Sequence, residues 1–233
     1  MVQNQSQFRI RDVIRFGIYL LLGPALLFIS SGRLDWWQAW VFIGVTYLAV
    51  IGGRLAAARR NPGLLQERAH SIEDTSSKSW DRWLAFIVGM AGPALVQLIS
   101  GLDQRFLWSP ELPLGVHLIG LAGLILGSAF STWALIENRF FSAQVRIQKD
   151  RGHHVIDSGP YRIVRHPGYA GALLGTLAIP LLLNSLWAYL PSAVLLAVFF
   201  VRTSLEDRTL QAELPGYTQY AARTRYRLIP GIW

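Results

Sequence analysis

Between Gln148 and Gly171 the chain reads QKDRGHHVIDSGPYRIVRHPGYAG, which gathers three His, three Arg, two Tyr and two Pro into one short stretch. Proline suits the first position of a helix, where its missing N–H is not needed and its φ is already set. His166-Pro167 therefore predicts an imidazole at a helix amino terminus. Free backbone amides and the positive dipole end favour an anion there, a carboxylate or a phosphate. Further on, the run VRTSLEDR puts Arg202 and Glu206 four residues apart, on one face of a helix. The two form either an interfacial salt bridge or part of a cavity wall. In the second case they supply a guanidinium for an anion and a carboxylate that accepts from ribose hydroxyls or an ammonium. The chain has no Cys, five His and no HExxH pattern, so disulfides, thiolate nucleophiles and a metal centre are set aside.

The elements that must position these residues are membrane helices. Of 233 residues, 52% are hydrophobic and only 15% charged, against roughly 25% charged in soluble domains. Six apolar segments, at 14–31, 36–53, 83–100, 114–135, 169–183 and 186–202, approach the roughly 20 residues that cross a bilayer core. The fifth is short, and only Asn184 and Ser185 separate it from the sixth, which predicts a tight helical hairpin. The first is followed by no small-residue cleavage pattern and so reads as a span rather than a signal peptide. All of the 22 Lys and Arg except Arg33 and Arg105 fall on one side of this arrangement, which predicts both termini in the cytoplasm. Trp36, Trp37, Trp40, Trp80, Trp83, Trp108 and Trp187 fall near span ends, as interfacial aromatics do.

The reading is thus an all-α, polytopic membrane protein of about six transmembrane helices, one domain over 1–233, with four amino-terminal spans in 1–135 and the site-bearing half in 136–233. Gly123 to Gly127 and Gly171 to Gly175 have the small-residue spacing of close helix packing, or, at Gly171, of a bare backbone beside a ligand. The cytoplasmic loop 54–82 is a solvated connection, or a rim over the site to which Glu67 and Arg68 contribute. The tail alternates aromatics with Arg after a membrane span. It reads as an interfacial segment able to fold back over the site, and nucleic acid is excluded as a partner.

Together, GPYRIVRHPGYAG, the preceding His153 stretch and RTSLE after a helical hairpin resemble the isoprenylcysteine carboxyl methyltransferase family, over about the last 90 residues. The resemblance implies a helical membrane enzyme whose carboxyl-terminal half binds S-adenosylmethionine at the cytoplasmic face and releases S-adenosylhomocysteine. By position, it implies cofactor contacts at His153, His154, Val155 and Ile156, where the eukaryotic pattern resembles His-Thr-Leu-Val, and at Tyr161, His166, Pro167, Gly168, Tyr169 and Glu206. Gln148 is the candidate for an upstream cofactor-binding glutamine, at a different spacing, and Arg202 for the residue that orients the acceptor. The implied acceptor is a carboxylate on an isoprenylcysteine-like or other lipophilic molecule, small or lipidated, entering from the bilayer. The alternatives are a phospholipid amine and, through the shared RHPxY element, an NADPH-dependent membrane reductase. Arg outnumbers Lys 20 to 2, which fits GC-rich coding and a bacterial inner membrane.

Overall fold

Long apolar helices, drawn together by small residues at their crossings, form the frame. The computed structural model describes residues 10–61, 63–64 and 78–233, with side chains from residue 14 onward. Helix α1 runs Ile10–Ser31, α2 Trp37–Arg60, α3 Asp81–Phe106, α4 Leu114–Glu137, α5 Pro167–Leu182, α6 Tyr189–Glu213 and α7 Tyr217–Arg223. No strand occurs among the described residues. Five of these helices are long and apolar enough to cross a membrane, and α5 is a shorter apolar helix. Leu21, Ile29 and Leu48 are each more than two-thirds exposed, as befits side chains facing lipid rather than water. The chain is an integral membrane protein.

Several helices outrun their apolar segments, and two of these extensions bear on the site. α3 begins at Asp81 and α6 continues to Glu213, because their polar ends are packed against the connections that follow α4 rather than dissolved in water. Within α3, residues Ile87–Ala91 form a π-helical turn. Pro93 has no N–H to donate to the carbonyl of Gly89, and the local ladder widens so that the Gly92 N–H bonds to Ile87 instead.

The tightest crossing is between α4 and α5. A Cβ on Gly171 would run into the carbonyl of Gly127 and the side chain of Ser131, and one on Gly127 would lie 2.5 Å from the carbonyl of Gly171. The bare backbone at Gly171 thus serves helix packing and not a ligand. Beside this crossing, the Ser131 hydroxyl donates to the carbonyl of Gly168 at 2.9 Å, which fixes the first turn of α5 against α4.

At the far end, the α5–α6 hairpin closes through Asn184 and Ser185 as the sequence predicts. Asn184 adopts a left-handed φ of 57° and accepts the Leu112 N–H at 2.8 Å. Buried Asp103 of α3 accepts from the Ser109 and Ser185 hydroxyls and from the backbone amides of Ser109 and Trp187. These bonds tie the end of α3 to the start of α6. One predicted interfacial tryptophan sits elsewhere: Trp36 is only 2% exposed and packs with Leu27, Ala39, Phe42 and Leu182 in the main apolar core. The α2–α3 connection, including Glu67 and Arg68 of the expected rim, lies outside the described residues apart from its ends.

Candidate functional site

The carboxyl-terminal half of α6 carries two neighbouring acids, Glu206 and Asp207. Successive residues on a helix point about 100° apart, so the two serve different surroundings.

Asp207 is wholly buried and its carboxylate is saturated. Arg165 donates to it from Nε at 2.8 Å and from Nη2 at 3.0 Å. Arg227 Nε and the Tyr217 hydroxyl each donate at 3.0 Å and Gln211 at 2.8 Å, while the His166 Nε2 stands 3.3 Å away. Arg165 spends its remaining nitrogen on the carbonyls of Thr224 and Arg225. The backbone follows the same route, with the Arg165 N–H donating to Tyr226 O and the His166 N–H to Arg227 O. The tail therefore folds back beneath the start of α5. His166 caps that helix from outside, its carbonyl accepting from the amides of Tyr169 and Ala170.

Glu206 faces a different space. One carboxylate oxygen accepts the Tyr169 hydroxyl at 2.7 Å, and the other makes no hydrogen bond among the described residues. The Tyr169 ring lies nearly parallel to that of His166, with centroids 6.0 Å apart, and the guanidinium carbon of Arg202 sits 5.4 Å from its centre. Arg202 does not pair with Glu206 as the four-residue spacing allowed. Its Nε and Nη2 instead donate to the two oxygens of Asp81 at 2.7 and 3.0 Å, and Nη2 also donates to Ala143 O at 2.8 Å. Asp81 accepts the Val145 N–H as well, at 2.6 Å. Of the Arg202 nitrogens, Nη1 alone makes no hydrogen bond among the described residues.

The connection between α4 and α5 supplies the remaining candidates. Gln148 is fully buried with both side-chain atoms engaged, donating to Phe140 O at 2.7 Å and accepting from Arg151. It organises the loop from inside. The His153 ring stacks on Phe140 with centroids 4.5 Å apart, and its Nδ1 accepts the Gln148 N–H at 3.3 Å. Burial, followed by the positive charges of His154, Arg151 and Arg146, brings the His153 imidazole down to about 4. His154 is exposed and meets Phe140 edge-on. Val155 and Ile156 pack with buried Tyr161, Tyr217 and Tyr220 against the end of α4. The Tyr161 hydroxyl accepts from Asn138 at 3.1 Å, and burial pushes it up from its ordinary value. Gly168 lies against the ring of Phe141, at which a Cβ would stand 2.8 Å away.

The structure thus brings His166, Pro167, Gly168, Tyr169, Arg202 and Glu206 together at the junction of α5 and α6, with the 148–161 connection packed alongside. The sequence reading missed Asp81 and Asp207, which anchor Arg202 and Arg165. An acid beside Glu206, and another at the mouth of an apolar segment, were the available signals, since a charge so placed needs a partner.

A bundle of membrane helices thus carries a carboxylate, a guanidinium and two aromatics at its polar end. The sequence profile of the isoprenylcysteine carboxyl methyltransferase (ICMT) family matches residues 118–212. The chain is 30% identical over 137 residues to protein-S-isoprenylcysteine O-methyltransferase B of Arabidopsis thaliana, a match covering 56% of this chain and 70% of that one. It is 29% identical over 98 residues to a probable protein-S-isoprenylcysteine O-methyltransferase of Oryza sativa subsp. indica, covering 37% and 51%. It is also 29% identical over 109 residues to the cobalt-zinc-cadmium resistance protein CzcN of Cupriavidus metallidurans, covering 46% and 45%. The last two matches span about half of those relatives. The chain belongs to the isoprenylcysteine carboxyl methyltransferase family and is a membrane methyltransferase.

Proposed function

We propose that this protein transfers a methyl group from S-adenosylmethionine to a lipophilic acceptor at the cytoplasmic face of a bacterial inner membrane. The lead acceptor is the carboxylate of an isoprenylcysteine-like molecule. The observation that carries this reading is Glu206, a carboxylate held by Tyr169 on one oxygen and, among the described residues, without a donor on the other, one turn from Arg202, whose Nη1 makes no hydrogen bond among those residues.

The residues suit the donor. Glu206 accepts from an ammonium or ribose hydroxyl, and Tyr169, His166 and Tyr161 offer aromatic surface beside it. The start of α5 lends the positive end of its dipole to a carboxylate. The 153–156 stretch closes the flank, with His153 neutral at pH 7 and adding no positive charge beside a sulfonium. Bound S-adenosylmethionine would supply an electrophilic methyl on sulfur, whose carbon–sulfur bond breaks as the carbon–oxygen bond forms. A carboxylate acceptor is ionised already and needs no base. What the protein contributes is alignment and exclusion of water, and proximity of this kind supplies about 7 to 11 kcal/mol. Arg202 Nη1 orients the acceptor, which enters sideways from the bilayer.

A second reading takes a phospholipid amine as acceptor. Its specific support is Asp81, whose buried carboxylate offsets the charge of Arg202 and leaves less positive potential for an anion. Glu206 then has the further task of taking the amine proton. Purified protein in detergent, given radiolabelled S-adenosylmethionine with either N-acetyl-S-farnesylcysteine or phosphatidylethanolamine, separates the two. Methyl ester from the first supports the lead reading, and methylated amine from the second the alternative. Arg202→Ala should impair transfer more than S-adenosylhomocysteine binding, and wild-type rates in that variant at saturating donor and acceptor would remove Arg202 from the reaction.

A further inference from the structure

Arg202 is held by one edge. Nε and Nη2 donate to the two oxygens of Asp81, and Nη2 also reaches Ala143 O, which leaves Nη1 as the nitrogen without a bond among the described residues. Both partners are buried, Asp81 completely and Arg202 to 5% exposure. The carboxylate is itself fixed, since Asp81 is the first residue of α3 and Oδ2 accepts the Val145 N–H at 2.6 Å. A bidentate guanidinium–carboxylate pair of this kind specifies direction as well as energy. The guanidinium therefore cannot turn its fork toward a ligand without breaking two charge-assisted bonds. Its carbon lies 5.4 Å from the centre of the Tyr169 ring, whose hydroxyl holds Glu206. Asp81 stands 121 residues before Arg202 and outside the 118–212 stretch that the family profile matches.

We propose that Asp81 is a positioning residue for methyl transfer, locking the fork of Arg202 so that Nη1 alone is presented to the acceptor. This rests on the reading of Arg202 as the acceptor-orienting group. It deepens that reading by making the acceptor contact one nitrogen, Nη1, rather than the two-nitrogen fork of a bidentate carboxylate clamp, and by assigning part of the site to the amino-terminal helices.

A mutant cycle of Asp81→Asn, Arg202→Gln and the double variant tests it. For each form, S-adenosylhomocysteine affinity is measured by calorimetry, and kcat and KM with whichever of N-acetyl-S-farnesylcysteine and phosphatidylethanolamine the wild type methylates. Asp81→Asn should lower kcat/KM for the acceptor 10- to 100-fold while S-adenosylhomocysteine affinity stays within about threefold. In the Arg202→Gln background, adding Asp81→Asn should change kcat/KM less than threefold, because Asp81 acts through the guanidinium. Wild-type kcat/KM in Asp81→Asn overturns the proposal, and so does full multiplication of the two losses. A fall in S-adenosylhomocysteine affinity parallel to that in kcat/KM also overturns it, showing a staple between α3 and α6 instead. The double variant leaves no unpaired buried charge. If Asp81→Asn alone fails to fold, the double variant is compared with Arg202→Gln, and equal residual activity is expected while a further loss overturns the proposal. A folded wild type that binds no S-adenosylhomocysteine, or that binds it and methylates neither acceptor, removes the underlying reading and the proposal with it.

Discussion

Asp207 and Arg165 meet through two parallel bonds of 2.8 and 3.0 Å, and every other nitrogen and oxygen of the pair is taken up by the tail, α7 or α6 itself. Asp207→Asn removes the charge and leaves two arginines facing a neutral amide in a buried setting. Breaking a buried pair from one side costs about 3 to 5 kcal/mol. Thermal unfolding in detergent should show a large downward shift, and Asp207→Glu should recover part of it. A midpoint unchanged in Asp207→Asn would mean that water reaches the pair.

Glu206→Gln keeps the shape and a donor–acceptor pair for Tyr169 but removes the charge offered to the donor. A hydrogen bond to a charged group is worth about 1.5 to 3 kcal/mol, so S-adenosylhomocysteine affinity should fall roughly 10- to 100-fold. Calorimetry on purified protein reads this directly. Unaltered affinity would displace Glu206 from the donor site.

Gly171→Ala should destabilise the protein by about 1 to 3 kcal/mol, because the added methyl would run into the Gly127 carbonyl and both the hydroxyl and the backbone nitrogen of Ser131. Gly115→Ala, on the same α4 but with nothing within 4 Å of the new methyl, should be neutral or stabilising. The two thermal midpoints, measured side by side, check the crossing.

His153 sets a pH window. Its imidazole, held near 4 by burial and by neighbouring positive charge, titrates near 6.5 once the chain is unfolded. Between those values the unfolded chain takes up a proton that the folded one refuses, so stability falls as pH drops from 6.5 toward 4. Above 6.5 the group contributes no slope. Thermal midpoints recorded across this window should decline more steeply in the wild type than in His153→Gln, and parallel curves would show that His153 is solvated.

Much of this architecture is written in the apolar segments. Their lengths give the five long helices, the short α5 and the hairpin at Asn184-Ser185, and the proline after His166 marks where α5 begins. Pairings between distant segments are a different matter. The four-residue spacing of Arg202 and Glu206 is a local cue, and it lost to Asp81, because a side chain on a helix surface is as free to reach a neighbouring helix as its own next turn. No local pattern announces a partner 121 residues away. Gln148 was legible as a polar residue near the site, yet not as one whose amide is spent on Phe140 and Arg151, since the turn that brings them together depends on the left-handed Gly152. Trp36 looked interfacial by position and is core because α1 and α5 enclose it.

The back-pairing of residues 226–227 with Arg165 and His166 has a consequence for biosynthesis. The start of α5 leaves the ribosome some sixty residues ahead of the segment that satisfies its backbone and helps neutralise Asp207. Until that segment arrives, the polar end of the bundle carries unmet donors and charges at the membrane surface. The polar end of this protein is therefore completed last, and a nascent chain halted before residue 226 would hold its helices without the segment that locks the start of α5.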